Sequence, residues 1–386
     1  MYQRTHLALG FAALFAAACG SSNTNSDTAT MNVQLVDAPA DYTAVTLDIQ
    51  KVEISTDGGQ WLTLGTPNKT INLLSLTNGV VETLANGASL PPGTYGQMRL
   101  LLGPNNTVTL ASDPSNPQML KVPSGMQSGL KLPVSFDVQP GTTKDVFIDF
   151  DAHRSIFVHG AGASGQYLLR PVVRVLDKVV TGSIGGALKD GSGNALAGQT
   201  VLAEIVDGTG NASIVTSAIT SSTGAYTLGL LPLGGTYYVV AQPFLVPTSG
   251  PATVYAPASA GTMLTASASV ATVDVTTGAP VAQYGGITAT VSDSSSGEPG
   301  HTILVSQSIT AGIGSKTLII RTQDAAGTPE VAAIGYLPVA TSYIVSGLRT
   351  VANSDGTTTV TPSTATTPAS PTAVTNGTNT AVTVAF

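Results

Sequence analysis

Leu231-Pro232-Leu233-Gly234-Gly235-Thr236-Tyr237-Tyr238-Val239-Val240 returns 106 residues later as Leu337-Pro338-Val339-Ala340-Thr341-Ser342-Tyr343-Ile344-Val345-Ser346. In both stretches a Pro-containing turn feeds a run of aromatic and β-branched residues, the composition of a strand entering a core. The match extends outward in register. Ile184 to Asp190 matches Ile287 to Asp293, Gly198-Gln199-Thr200-Val201 matches Gly300-His301-Thr302-Ile303, and Val273 and Val275 match Val382 and Val384. Blocks that recur in the same order mark a repeated structural unit. The repeat predicts two tandem β-modules, over about 179–278 and 279–386.

The first half is strand-like too. Apolar residues alternate at Val33 and Leu35, at Val45, Leu47 and Ile49, at Val134, Phe136 and Val138, and at Val146, Ile148 and Phe150. Turn clusters such as Leu90-Pro91-Pro92-Gly93 and Gly103-Pro104-Asn105-Asn106 separate these runs. The step from Ile49 to Val52 breaks the alternation and predicts a bulge near Gln50. No amphipathic helix is visible beyond the leader. The fold class is therefore all-β, with three tandem β-sandwich domains, the first over 31–178. Set end to end, three such modules would reach on the order of 100 Å, at ~35 Å for each ~100-residue domain. The Thr-, Pro- and Ser-rich stretch from Thr357 to Thr380 reads as loop and edge strand.

The N-terminus, MYQRTHLALGFAALFAAACGSS, decides where the protein works. Arg4 precedes an apolar run from Leu7 to Ala18. That run is too short for a ~30 Å hydrocarbon layer but suits the core of a signal peptide, over 1–18. Ala16, Ala17 and Ala18 lead into Cys19, the single cysteine of the chain. This segment resembles a bacterial lipobox, with Ala16 where that motif usually has Leu. The resemblance implies acylation of Cys19 and cleavage before it; the alternative is an ordinary cleaved signal with a spectator Cys. Several acyl chains, at ~0.8 kcal/mol per CH₂, anchor firmly where one would not. Residues 19–30 then form the lipidated Cys and a polar tether. Gly20 stands where lipoproteins of enteric bacteria carry an Asp for inner-membrane retention. The expected place is therefore the bacterial cell envelope, with the outer membrane favoured on either its periplasmic or surface face.

Composition narrows the partners. Only 10% of the 386 residues are charged, with 15 Lys/Arg against 22 Asp/Glu and a net charge of −7. Nucleic-acid binding needs a basic patch that these residues do not supply. A lone cysteine excludes intrachain disulfides and multi-Cys metal clusters.

Two family resemblances follow from motifs. Gly182-Ser183-Ile184-Gly185-Gly186-Ala187-Leu188-Lys189-Asp190, Gly193 to Val201, Ser222-Thr223-Gly224-Ala225-Tyr226-Thr227-Leu228 and Gly235-Thr236-Tyr237-Tyr238-Val239 resemble the carboxypeptidase regulatory-like (transthyretin/prealbumin-type) domain. That resemblance implies a seven-strand Greek-key sandwich without catalytic residues. The second copy keeps Tyr343 but has Ala332 where the first has Tyr226, so it is divergent. In the first half, Val36-Asp37-Ala38-Pro39, Trp61, Asn72-Leu73-Leu74, Pro92 to Leu100, Pro123 to Lys131 and Asp149-Phe150-Asp151 are similar to a bacterial lipoprotein family, domain of unknown function 4382. This implies an exported β-sandwich, often followed by carboxypeptidase regulatory-like modules, with no activity attached to it.

Several constellations invite chemistry. Gly160-Ala161-Gly162-Ala163-Ser164-Gly165 fits G-x-G-x-x-G, but a dinucleotide site needs a following helix, and Gln166 to Leu176 reads as strand. The loop is expected to join a hairpin. Asp151, His153 and Ser155 resemble a compact triad; on an extended segment their side chains would sit ~6.5–7 Å apart, whereas a relay needs ~2.6–3.2 Å. Asp145, Asp149 and Asp151 share one strand face and are the weak candidates for structural calcium, which needs six to eight oxygens; a solvated acidic face is the default. His153 and His159 lack further zinc ligands nearby, His301 lying in another module. Trp61, the single Trp, is expected to be buried in a strand. Gln97, Arg99, Gln127 and Lys131 would line a polar groove or serve turns.

The function expected from all this is a lipid-anchored envelope protein acting as a non-catalytic binding, adhesion or structural module, with an envelope protein or a glycan as partner. No cofactor is called for. Two rivals remain: a carbohydrate-binding surface lipoprotein, which would expose Trp61 beside Tyr42 or Tyr95, and an envelope hydrolase, which would need a cleft holding carboxylates with raised pKa.

Overall fold

The computed structural model describes residues 28–386 except 39, 41, 57–58, 78, 123–127, 160–165, 247–251, 266–268, 296–298, 354–357 and 368–370. The leader, Cys19 and most of the tether lie outside the described residues. The first sandwich is built around the strand Tyr42–Ser55, too long to pair with one neighbour. It carries Thr107–Leu110 and Lys69–Asn72 on its first half and Leu62–Gly65 and Gly93–Leu102 on its second. Its ladder to Gly93–Leu102 skips a residue between Ile49 and Lys51, which places the bulge at Gln50. The bulge shifts the side-chain phase by one. Val45, Leu47 and Ile49 point inward before it, Val52 and Ile54 after it, and all five are fully buried.

The facing sheet runs Val173–Asp177, Thr143–Asp151, Ala29–Ala38, Glu82–Leu90. Within it, Ala29–Ala38 lies parallel to Thr143–Asp151. Met31, Val33 and Leu35 from one strand and Ile148 and Phe150 from the other fill the core between the sheets. Among the described residues helix is confined to short turns. Ala152–Ser155 forms one α-helical turn rather than the extended segment expected for Asp151 to Ser155, and Leu73–Leu76 and Lys178–Val180 form 3₁₀ turns. Among the described residues no helix is long and apolar enough to cross a membrane.

The second and third sandwiches repeat one topology. In the second, Thr181–Lys189 lies between Ala225–Pro232 and Val270–Thr272, and Thr200–Val206 lies between Ala212–Ile219 and Thr236–Ala241. In the third, Tyr284–Ser292 lies between Val331–Pro338 and Asn379–Ala385, and Gly300–Thr310 lies between Ser315–Asp324 and Ala340–Ala352. The Thr-rich stretch supplies edge strands at Thr358–Pro362 and Ala365–Thr367. The quoted motif earns its place through its tyrosine. Tyr237 Oη donates to the Pro232 carbonyl at 2.6 Å and Tyr343 Oη to the Pro338 carbonyl at 2.6 Å, pinning the turn to the strand that follows. The first sandwich uses the same device, Tyr95 Oη to Pro91 O at 2.8 Å.

Where the copies differ, they differ in pairs. In the second sandwich Tyr226 reaches under Gly186 to donate to the Val273 carbonyl. A Cβ at Gly186 would fall 1.7 Å from that carbonyl oxygen and 2.8 Å from the Tyr226 hydroxyl. In the third, Ala289 faces Ala332 at the corresponding position, and no tyrosine needs the space.

The modules do not run end to end. The sheet of Thr200–Val206 and Thr236–Ala241 is buried on both faces. Val201, Ala203, Tyr237 and Val239 pack inward, while Leu202, Tyr238 and Val240 join the core cluster of the third sandwich. The strand Ser315–Asp324 of the third sandwich is pressed against this face and has Leu318, Ile319 and Ile320 all buried. The first sandwich closes the group by touching the third: a Cβ on Gly300 would fall 2.0 Å from Phe157 Cδ1. An extended rod of about 100 Å at ~35 Å per domain is thereby replaced by a folded-back cluster, because a sheet apolar on both faces has to be covered on both.

Candidate functional site

On the outer face of the first sandwich, Glu53 and Arg99 sit opposite each other in register on neighbouring strands. Arg99 Nε donates to Glu53 Oε2 at 2.7 Å, and Lys51 Nζ lies 3.4 Å from Oε1. Burial pushes the Glu53 carboxyl up, but Arg99 and then Lys51 outweigh it and hold it below the usual carboxylate range. The guanidinium also lies over the Trp61 ring, 4.1 Å from its centroid, and donates to Ser128 O at 3.3 Å. Trp61 is half-buried rather than buried, and one ring face is covered by a cation. Tyr95 is 2% exposed and offers no ring for stacking beside Trp61, while Tyr42 is half-buried. Gln97 is exposed, Lys131 faces Arg99 across the ladder, and Gln127 lies outside the described residues.

The acidic strand is neutralised rather than solvated. Asp149 is 8% exposed and accepts a charge-assisted hydrogen bond from Arg174 on the neighbouring strand. Asp145 accepts from Asn32 Nδ2 at 2.7 Å and lies 3.7 Å from Lys178 Nζ. Among the described residues no three His, Cys, Asp or Glu side chains converge as metal ligands. Ser155 is fully buried; its hydroxyl donates to the Asp151 carbonyl at 2.5 Å and accepts from Val172 N–H at 2.8 Å, closing the helical turn. Asp37 supports that turn from a distant strand, accepting from Ala152 N–H at 3.0 Å. The side chains of His153 and His159 lie outside the described residues. So does the glycine loop 160–165, but it joins two antiparallel strands, Ile156–His159 and Gln166–Leu169, as a hairpin connection does.

Two features escaped the sequence. His301 is 2% exposed in the third sandwich, with Nδ1 2.6 Å from Glu330 Oε2 and Nε2 3.0 Å from Asp293 Oδ2. Arg349 Nε completes the cluster by donating to Asp293 Oδ2 at 2.7 Å. Burial pushes Asp293 up, yet hydrogen bonds from Ser295, His301 and Arg349 overcome it and hold the carboxyl well below its usual range.

The second is a cleft of about 270 Å³ where all three sandwiches meet. Asp151 comes from the first, Ser217 and Gln242 from the second, and Arg321, Gln323 and Tyr336 from the third. Arg321 bridges two modules, donating to Gln242 Oε1 at 3.3 Å and to the Pro243 carbonyl at 2.5 Å. One buried acid lies in the same seam. Glu204 is fully buried and accepts from Ile319 N–H at 2.9 Å, while its Oε1 has no hydrogen-bond partner. Burial pushes its carboxyl up to about 8 against that single hydrogen bond. Glu204 does not line the cleft, so the raised acid and the open space are separate. A signal for the cleft did exist in the repeat, since Tyr336 stands where the second sandwich has Leu230.

Residues 28–171, most of the first sandwich, match the family described as Domain of unknown function (DUF4382). No curated protein matches the chain. Among solved structures, the Bacillus anthracis TIE protein is similar over 92% of this chain and 51% of its own, about half its length, at 13% identity and a TM-score of 0.21. The Streptococcal ancillary pilin is similar over 93% of this chain and 98% of its own, at 11% identity and a TM-score of 0.22. The shaft pilin SpaA from Lactobacillus rhamnosus GG is similar over 65% and 98%, at 13% identity and a TM-score of 0.21.

Proposed function

We propose that this chain is a lipid-anchored protein of a bacterial cell envelope, held by Cys19 and acting as a non-catalytic binding or structural module. The observation that carries the reading is that, among the described residues, the side chains singled out as candidates for chemistry already serve the fold. The Ser155 hydroxyl both donates and accepts within its own turn, Asp149 is taken by Arg174, and Arg99 is shared between Glu53 and Trp61. A nucleophile with both hydrogen-bonding roles consumed inside a core has no substrate to meet. A three-module cluster with a polar junction cleft suits recognition. The leader and the polar tether supply the anchoring half of the proposal.

The test is direct. The full chain and its Cys19→Ala variant are expressed in a bacterial host fed an alkyne analogue of palmitate, and labelled protein is followed through membrane fractionation. The full chain should take up label and sediment with envelope membranes, and the variant should do neither. An unlabelled parent chain would overturn the anchor.

A further inference from the structure

The third sandwich departs from its twin at one point that faces the other modules. In both copies a two-for-one bulge interrupts the same ladder. Gly229 and Leu230 lie opposite Ser183 in the second sandwich, and Gly335 and Tyr336 lie opposite Gly286 in the third. Leu230 and Tyr336 take left-handed φ angles of 53° and 60°, a conformation that bulky side chains rarely adopt. The bulge is thus part of the scaffold, and what it does is re-aim one side chain. In the second sandwich the re-aimed residue is a leucine. In the third it is a tyrosine, 44% exposed, that lines the junction cleft.

We propose that this cleft binds a neutral sugar residue, with Tyr336 as the stacking platform and Gln242, Gln323 and Ser217 as hydrogen-bonding partners. The inference rests on reading the chain as a non-catalytic binding module and names the ligand class for it. Three observations support the class. The volume of about 270 Å³ is small, suited to one ring rather than an extended drug-like molecule. Its polar lining is mostly neutral amide and hydroxyl, and the two charged side chains, Asp151 and Arg321, are of opposite sign, so nothing selects a phosphate or a carboxylate. Finally, a pyranose has an apolar C–H face and a rim of hydroxyls, which matches an aromatic ring set beside amides that donate and accept.

The experiment uses the full-length protein in a zwitterionic detergent, which carries no sugar headgroup. Cellohexaose, maltohexaose, xylohexaose and chitohexaose are titrated by calorimetry, with heparin as the charged control. At least one neutral oligomer should bind, and heparin should not. Tyr336→Gly should weaken that binding at least about tenfold. This variant accepts the left-handed backbone without strain, so its melting temperature should hold. Tyr336→Phe, which keeps the ring, should retain affinity within about twofold. Absence of binding to all four neutral oligomers, or binding that survives Tyr336→Gly, overturns the site. Because the palmitate label does not depend on the cleft, failure here and failure of the anchor are told apart.

Discussion

Raising the pH should loosen the seam between the second and third sandwiches through Glu204. Its carboxyl sits at about 8 in the folded chain against 4.5 when solvated. Below 4.5 both states hold the proton and the group has no effect on stability. Between 4.5 and about 8 only the folded state holds it, so folding stability falls as pH rises through that window. At 1.36 kcal/mol per pH unit, the loss across the window is on the order of 5 kcal/mol. Leu202, Tyr238 and Val240 bury apolar surface in the same seam, each contributing about 1.5–3 kcal/mol. Charging one acid therefore cancels an amount comparable to what these three side chains supply. The assay is urea unfolding from pH 4.5 to 9, comparing the parent chain with Glu204→Gln, whose amide oxygen still accepts from Ile319 but cannot ionise. The difference between the two curves isolates Glu204 from every other titrating group. It should open steadily toward high pH, with the variant the more stable at pH 9. Curves that stay parallel within about 1 kcal/mol would refute the reasoning.

Gly186→Ala should destabilise the second sandwich by about 1–3 kcal/mol through overpacking against Val273 and Tyr226. Tyr226→Ala should cost less in the Gly186→Ala background than in the parent chain, since the third sandwich pairs Ala289 with Ala332; a double-mutant cycle by chemical unfolding reads the coupling. Tyr95→Phe, Tyr237→Phe and Tyr343→Phe should each cost about 0.5–1.5 kcal/mol, one hydrogen bond apiece, seen as lowered melting temperatures. Arg99→Ala should uncover the single Trp and shift its fluorescence emission to the red, a change confined to Trp61 because no other Trp contributes.

The strand register was legible because it depends on neighbours along the chain. The slip from Ile49 to Val52 announced the bulge at Gln50, and the recurring turn-to-tyrosine motif announced two copies of one topology. Local patterning failed where a distant residue decides the backbone. The strand pattern of Val146, Ile148 and Phe150 invites extension through Ser155, yet Ala152–Ser155 turns as a helix with Asp37 held against Ala152 from another strand. The seam was half legible. The unbroken apolar run Tyr237-Tyr238-Val239-Val240 asks for burial on both faces, but which module provides the cover is set by packing between units. Of the cleft only the change from Leu230 to Tyr336 between the two copies could be read; the rest was not, since its walls come from three modules and no one stretch of sequence contains them.

The parallel pairing of Ala29–Ala38 with Thr143–Asp151 sets a timetable for assembly. A strand made early in synthesis has to wait for a partner more than a hundred residues behind it. Until that partner arrives, Met31, Val33 and Leu35 form an apolar ribbon paired on one edge only, with Glu82–Leu90. Such long-range closure is slow and favours trapping by other chains in the meantime. Folding factors would therefore meet this protein first as an unfinished edge, and shielding that edge until Thr143–Asp151 is made keeps the chain from pairing with its neighbours.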